Sequence, residues 1–432
     1  MKRILIILSA IVLFAFEANS QNGTWSGKLD VQGIKISLVF HLDGDSPTVD
    51  SPNQGVKGIP IQVERKSFGG IVINIPMLGA SFEGVNVMQQ IVGTFSQAGI
   101  SLPLTLIPGD VKLNRPQTPQ GPFPYTTEEV SLNNGEVVLN GTLTLPDGYS
   151  SSLPAVVMVT GSGQQNRDEE LFEHKPFAVI ADALARAGIA TLRYDDRGFN
   201  GYAGNIGECT TDDFKNDALA GVEFLRKRFC KVGVIGHSEG GTIALMLAAE
   251  QKVDYIVSLA GMVISGAETL ILQNRSALAA AGFDKEVVDT YCKVLEEAFE
   301  VKVNGGSMPR IDNYELPDVL KQNFISVLTM IQQPYMHHFL TLDMRPLLNK
   351  VLCPVLALNG TKDIQVEYES NLGALRNGLS SNENSNIEAI EGVNHLFQTC
   401  KTGDVTEYRE IEETISPKVL EIIADWILQV AK

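Results

Sequence analysis

Between Ala155 and Gly261 four short, almost wholly apolar runs, AVVMVTG (155–161), IATLRYD (189–195), KVGVIG (231–236) and DYIVSLAG (254–261), are separated by segments of helical periodicity. Helices are expected over 176–187, stopped by Gly188, over 212–228 and over 240–250. Strands that read as continuous apolar runs are buried on both faces, and strands that alternate with helices pair in parallel. The hairpin TEEVSLNNGEVVLNGTLTLP, turned at Asn134-Gly135, opens this region. CPVLALNG (353–360) and NIEAIEG (386–392) extend it, and an amphipathic helix, PKVLEIIADWILQV, closes it. The expected class is therefore α/β: a mostly parallel eight-stranded sheet over residues 125–432 with helices on both faces. Residues 262–350 interrupt the alternation with helical sequence only and read as a cap inserted into the sheet domain.

The pattern before residue 125 is different. From Trp25 to Leu106 the period is two: Ile34, Ile36, Leu38, Phe40 and Leu42 alternate with Lys35, Ser37, Val39 and His41. GTWS at Gly23, followed by GIKISLVF, echoes GTFS at Gly93, followed by GISLPLTL. Residues 21–106 are accordingly expected to form a small antiparallel all-β barrel or sandwich. The stretch 107–124, IPGDVKLNRPQTPQGPFP, is too rich in proline to feed a sheet ladder and reads as a stiff linker. At the N-terminus, two cations, an apolar run from Ile4 to Phe16, and small residues Ala18 and Ser20 have the layout of a cleavable signal peptide over residues 1–20. A secreted or periplasmic protein, without membrane insertion after its removal, is the expectation.

Composition narrows the function. A net charge of −17 argues against nucleic acid or an anionic membrane as partner, since both require a basic surface. A small or neutral molecule fits better. The cysteines, Cys209, Cys230, Cys292, Cys353 and Cys400, are odd in number and lack CxxC spacing, so neither a disulfide framework nor a zinc site is indicated. No metal or organic cofactor is expected.

The chemistry centres on Gly236-His237-Ser238-Glu239-Gly240, a GxSxG placed between an apolar strand and a helix. In that context the sharp strand-to-helix turn lifts the Ser238 hydroxyl clear of the sheet. It also puts the Glu239 N–H at the first turn of the helix, where an oxyanion would form. A serine nucleophile needs a base. Of six histidines only His395, in EGVNHLF, follows the last strand. The imidazole needs a carboxylate; Asp363, just past CPVLALNG, is the best placed, with Glu367 as runner-up. The second oxyanion donor is expected in the loop after the third strand, at the Ser162 N–H, with Gly163 or Gln164 next. Asp195-Asp196-Arg197 and Arg167-Asp168 read as ion pairs and turn caps holding these loops.

Taken together, GSGQQNRDE, HKPF, LRYDDRGFNGY, GHSEGG, CPVLALNGTKDIQV and NHLFQTC with IEETISP resemble motifs of the secreted bacterial carboxylesterase branch of the α/β-hydrolases, related to serine aminopeptidases. The resemblance spans about residues 125–432 and implies Ser238 as nucleophile, Asp363 as acid and His395 as base. It departs from the family pattern at Gln164, which replaces the family's loop proline, and at Phe199-Asn200-Gly201-Tyr202, which stands in place of its GxGxS. The expected activity is cleavage of carboxylic esters of short to medium acyl chains through an acyl-enzyme. An aminopeptidase would need cap carboxylates for a substrate ammonium, for which Glu296, Glu297 and Glu300 are candidates; acyl transfer is the same chemistry with another acceptor. A non-enzymatic alternative makes the β domain a glycan- or lipid-binding module beside an inert hydrolase domain, using Trp25, Phe40, Phe68, Phe82 and Phe95.

Overall fold

The computed structural model describes residues 21–31, 34–54, 56–66, 69–87, 90–110, 113–199 and 206–432. The expected signal peptide and Phe68 lie outside the described residues. The chain divides into two compact units, Met1–Leu113 and Asn114–Lys432.

The first unit is built from alternation alone. Its strands, β1 (Thr24–Val31), β2 (Ile34–His41), β3 (Thr48–Ser51), β4 (Val56–Pro60), β5 (Gln62–Arg65), β6 (Gly70–Ile75), β7 (Ala80–Val87), β8 (Gln90–Gln97) and β9 (Ile100–Pro108), form one antiparallel ladder in the order β4-β3-β2-β1-β9-β8-β7-β6-β5. The outermost strands of that order, β4 and β5, are separated by the single residue Ile61, so the sheet curls back around one core. The echoed segments form the hairpins β1–β2 and β8–β9, which are neighbours because β1 pairs with β9. Trp25, Phe40, Phe82 and Phe95 are buried in that core. None of the four therefore offers a ring face to a ligand, whereas a binding role would need exposed aromatic faces.

Proline does enter this ladder. Ile107 and Pro108, expected to open the linker, instead finish β9, with Pro108 opposite Trp25. Later linker residues are anchored to the second unit. The Arg115 guanidinium donates to the main-chain oxygens of Phe172 (3.0 Å), Asn114 (3.0 Å), Ile411 (2.8 Å) and Arg409 (2.7 Å). The Gln117 amide donates to Ile415 O at 2.7 Å and accepts from Thr414 N.

In the second unit the hairpin β10 (Tyr125–Asn134) and β11 (Val137–Pro146) is followed by β12 (Pro154–Val159), α1 (Pro176–Arg186), β13 (Ala190–Tyr194), α2 (Thr211–Arg226), β14 (Lys231–His237), α3 (Glu239–Ala249) and β15 (Ile256–Leu259). After an insertion come β16 (Val355–Gly360), α8 (Tyr368–Gly378), β17 (Ser385–Ile390) and α9 (Pro417–Val430). The sheet order is β10-β11-β13-β12-β14-β15-β16-β17, antiparallel through β10, β11 and β13 and parallel beyond. Strands β12, β14, β15 and β16 are buried almost end to end, as parallel strands covered on both sides must be. Side chains of α2, α3 and α8 pack on one face, and those of α1 and α9 on the other. This is the α/β-hydrolase fold. The hairpin turn lies one residue later than expected: Asn134 pairs with Val137, so Gly135 and Glu136 are the turn. Gly135 has φ 61°, which suits glycine at the first central position of a two-residue turn.

The insertion consists of α4 (Gly266–Ala280), α5 (Lys285–Asn304), α6 (Asp318–Met330) and α7 (Pro334–Thr341). A capping box starts it: Ser265 Oγ accepts from Glu268 N at 3.2 Å, and the Glu268 carboxylate accepts from Ser265 N at 3.0 Å. Tyr291, Phe299, Phe324 and Leu340 give it a hydrophobic core of its own.

Replacing Arg115 by alanine removes the donors of all four carbonyl contacts. We expect a loss of about 2–4 kcal/mol of stability, read as a lower urea midpoint with unchanged slope. An unaltered midpoint would show that the clamp carries no weight.

Candidate active site

Ser238 is the hinge between β14 and α3, and its backbone is left-handed, with φ 53° and ψ −120°. Such a conformation is rare for a residue with a side chain and persists only where packing enforces it. Two glycines make the packing possible. A Cβ on Gly236 would stand 1.9 Å from Gly240 O, and one on Gly240 would stand 2.1 Å from Val159 O. The Ser238 N–H is held by Leu259 O of β15 at 2.8 Å. Glu239, the first residue of α3, has a main-chain N–H with no acceptor inside the helix.

Asp363 sits in the turn after β16, where its Oδ1 accepts from Gln365 N (2.8 Å) and Val366 N (2.9 Å). Its Oδ2 accepts from His395 Nδ1 at 2.7 Å, and both side chains are buried. With Nδ1 committed as donor, Nε2 is left as the proton acceptor. Glu367 plays another part: it caps α8, accepting from Glu369 N and Ser370 N.

Ser238 and His395 open onto one cavity of about 690 Å³. Ser162 and Glu239 also line it, as do cap residues Leu270, Tyr335, Met336 and Phe339. Of the three loop residues considered for the second oxyanion donor, Ser162 is the one that lines the cavity; the Gln164 side chain packs toward Gly198 instead. The loop is held by the charged pairs expected there. Arg167 clasps Asp195 through Nε (3.2 Å) and Nη2 (2.8 Å), and Arg193 pairs with Asp168. Asp196 accepts from Thr160 Oγ1 (2.8 Å) and Gln165 N (3.0 Å). Arg197 turns away to pair with Asp217.

The cap carboxylates considered for an ammonium site do not line the cavity: Glu297 accepts from Tyr314 Oη at 2.5 Å, and Glu296 borders a separate depression with Arg345. Three contributors escaped the sequence reading. Glu169 and His237 form a buried pair beside Ser238. Tyr335, from α7, donates to the Glu239 carboxylate at 2.7 Å and stands 3.4 Å from Ser162 Oγ. His237 was visible as part of the elbow. Nothing local distinguishes Glu169 among the acids of RDEE, or Tyr335 within a helical insertion. None of the five cysteines forms a disulfide, and among the described residues no group of three His, Cys, Asp or Glu side chains is disposed to hold a metal.

A family model described as serine aminopeptidase, S33, matches residues 173–398, more than half of the 432 residues and inclusive of Ser238, Asp363 and His395. The chain belongs to this family. Esterase EstD of Thermotoga maritima is 26% identical over 314 residues, covering 71% of this chain and 69% of that protein. Among solved structures, Est1E from Butyrivibrio proteoclasticus is similar at 18% identity and a TM-score of 0.42, over 70% of this chain and 98% of its own. The Pyrococcus furiosus esterase Pf2001 is similar at 14% identity and a TM-score of 0.45, over 75% and 100%. Proline iminopeptidase of Mycobacterium smegmatis is similar at 15% identity and a TM-score of 0.44, over 70% and 99%.

Asp196 gives this family member a pH signature. Burial, aided by the Glu169 and Asp217 carboxylates and opposed by its Thr160 and Gln165 donors, pushes its carboxyl from 3.8 up to about 7. The folded protein thus keeps a proton that the unfolded chain releases near pH 4. The resulting stability is complete below about pH 4 and is lost as pH rises through about 7. Asp196→Asn keeps an acceptor for both donors without the charge. Urea midpoints measured at pH 5 and pH 8 should fall with pH more steeply in the parent than in this variant; parallel profiles would refute the assignment.

Proposed function

We propose that the protein is a serine hydrolase that cleaves carboxylic esters of short to medium acyl chain through an acyl-enzyme. The observation that carries this reading is the meeting, in one cavity, of a serine held in left-handed backbone geometry and a histidine whose Nδ1 is committed to a buried aspartate. His395 Nε2 takes the Ser238 proton as Oγ attacks the ester carbonyl. The Glu239 and Ser162 N–H groups receive the oxyanion, and the imidazolium returns the proton to the departing alcohol. Water then repeats the sequence on the acyl-enzyme. The name of the Thermotoga relative, an esterase, supports an ester as substrate. The methionine- and leucine-bearing cap wall supports an apolar acyl group. A small-molecule ester is the proposed partner, and residues 1–20 are proposed to direct export to the periplasm or beyond.

The test is turnover of p-nitrophenyl esters from acetate to decanoate by the parent and by Ser238→Ala and His395→Gln. Each substitution should lower kcat by about 10,000-fold or more, with KM little changed. The parent should show a burst of nitrophenol equal to the enzyme present. Activity surviving in Ser238→Ala would defeat the mechanism. Preference for amino-acid anilides over esters would favour the aminopeptidase reading instead.

A further inference from the structure

Two side chains with no part in that reaction stand against Ser238 and join the loops on either side of it. Glu169 Oε1 accepts the Gly161 N–H at 2.8 Å and lies 2.9 Å from His237 Nδ1. The other ring nitrogen, His237 Nε2, is 2.9 Å from the main-chain oxygen of His395. Both side chains are sequestered, His237 at 9% and Glu169 at 6% exposure.

The contacts of this pair suit an ion pair. A carbonyl oxygen only accepts, so Nε2 carries hydrogen. Glu169 Oε1 accepts from Gly161, and a carboxylate oxygen can take a second N–H, from His237 Nδ1, in a charge-assisted bond. Paired with the Glu169 carboxylate, Nδ1 carries hydrogen as well, which makes His237 an imidazolium. Burial opposes that charge, but the Glu169 carboxylate, helped by the His395 carbonyl and by Asp363, outweighs it and raises the imidazole above its ordinary range. On the other side Glu169 faces Asp196, whose carboxyl it helps to raise.

The backbone shows how firmly Glu169 is placed. Its φ is 53°, and Phe172 and Glu173 follow at 49° and 62°, so the loop carries three left-handed residues with side chains. Each such residue is strained and persists only where its surroundings demand it. The strained loop aims one carboxylate at Gly161 and His237.

We propose that Glu169 and His237 are positioning residues: a buried couple that sets the oxyanion loop and the base loop at a fixed distance from Ser238. The proposal rests on the hydrolase reading of Ser238. Asp363 orients the ring of His395 but makes no bond to its main chain; His237, adjacent to the nucleophile, holds that main chain directly. Gly161 immediately precedes Ser162. One ion pair thus ties the carriers of base and oxyanion donor to the residue next to the nucleophile. A neutral imidazole has a single N–H and could serve only one of the two acceptors.

Glu169→Gln preserves the shape but removes the charge that keeps His237 doubly protonated. In the full chain, kcat on p-nitrophenyl butyrate should fall about 10- to 100-fold while KM moves by less than about threefold, the mark of displaced groups rather than lost binding. A purely structural role would instead lower the melting temperature and leave the kcat of folded enzyme intact, which would overturn the proposal. The second measurement needs no variant: nitrogen-15 spectra of imidazole-labelled parent at pH 8 should show both His237 nitrogens bearing hydrogen, whereas an unperturbed histidine is neutral there. A bare Nδ1 would overturn the proposal whatever the kinetics. If the spectrum showed both hydrogens while the parent cleaved no ester or amide, the hydrolase reading would fall and the couple itself would stand.

Discussion

The backbone of Ser238 can hold its left-handed turn only because glycine on each side of it lets α3 press against β14 at Gly236 and against the end of β12 at Gly240. The closeness is severe, since any Cβ at Gly236 or Gly240 would occupy space already filled by main-chain oxygen. The pressure comes from the sheet. β14 lies between β12 and β15, and α3 packs an almost entirely buried surface against them. The stability of a whole α/β core is thereby concentrated on one residue whose preferred conformation lies elsewhere. The loops carrying Asp363 and His395 leave neighbouring strand ends of the same sheet, so the geometry between the three side chains inherits the rigidity of β-ladders rather than the softness of loops.

Much of this was legible in the sequence, for identifiable reasons. The strand-and-helix alternation is a periodic signal, and periodic signals survive without knowledge of tertiary partners. Ser238, Asp363 and His395 were singled out because the elbow has a local signature and because strand order restricts which loops can reach it; the structure brings Asp363 to His395 and opens Ser238 and His395 onto one cavity. What escaped was non-local or main-chain in character. Pro108 was read as a ladder breaker, yet it ends a strand opposite Trp25 where the ladder tolerates a missing N–H. The hairpin turn shifted by one residue because Gly135, rather than Asn134, supplies the positive φ. Glu169 acquires its part from a partner 68 residues away and from a backbone conformation that composition does not advertise.

The cap shows a different economy. Its helices bury their own aromatic and aliphatic side chains against one another, and its bond to the sheet domain near the cavity includes a single phenol, Tyr335, reaching the carboxylate of Glu239. A cap with an independent core can exchange cavity-facing residues such as Met336 and Phe339 without disturbing the strands that lead to Ser238, Asp363 and His395. The cap wall of the cavity and the geometry of Ser238, Asp363 and His395 are in this sense assigned to separate hydrophobic cores.

The Arg115 clamp separates two demands in a similar way. Every acceptor it uses is a main-chain oxygen, so it recognises the path of the chain at Phe172, Arg409 and Ile411 and is indifferent to which side chains those positions carry. Phe172 also faces the cavity. Drift at that position can therefore reshape the cavity wall while the same main-chain contacts keep the path of the loop.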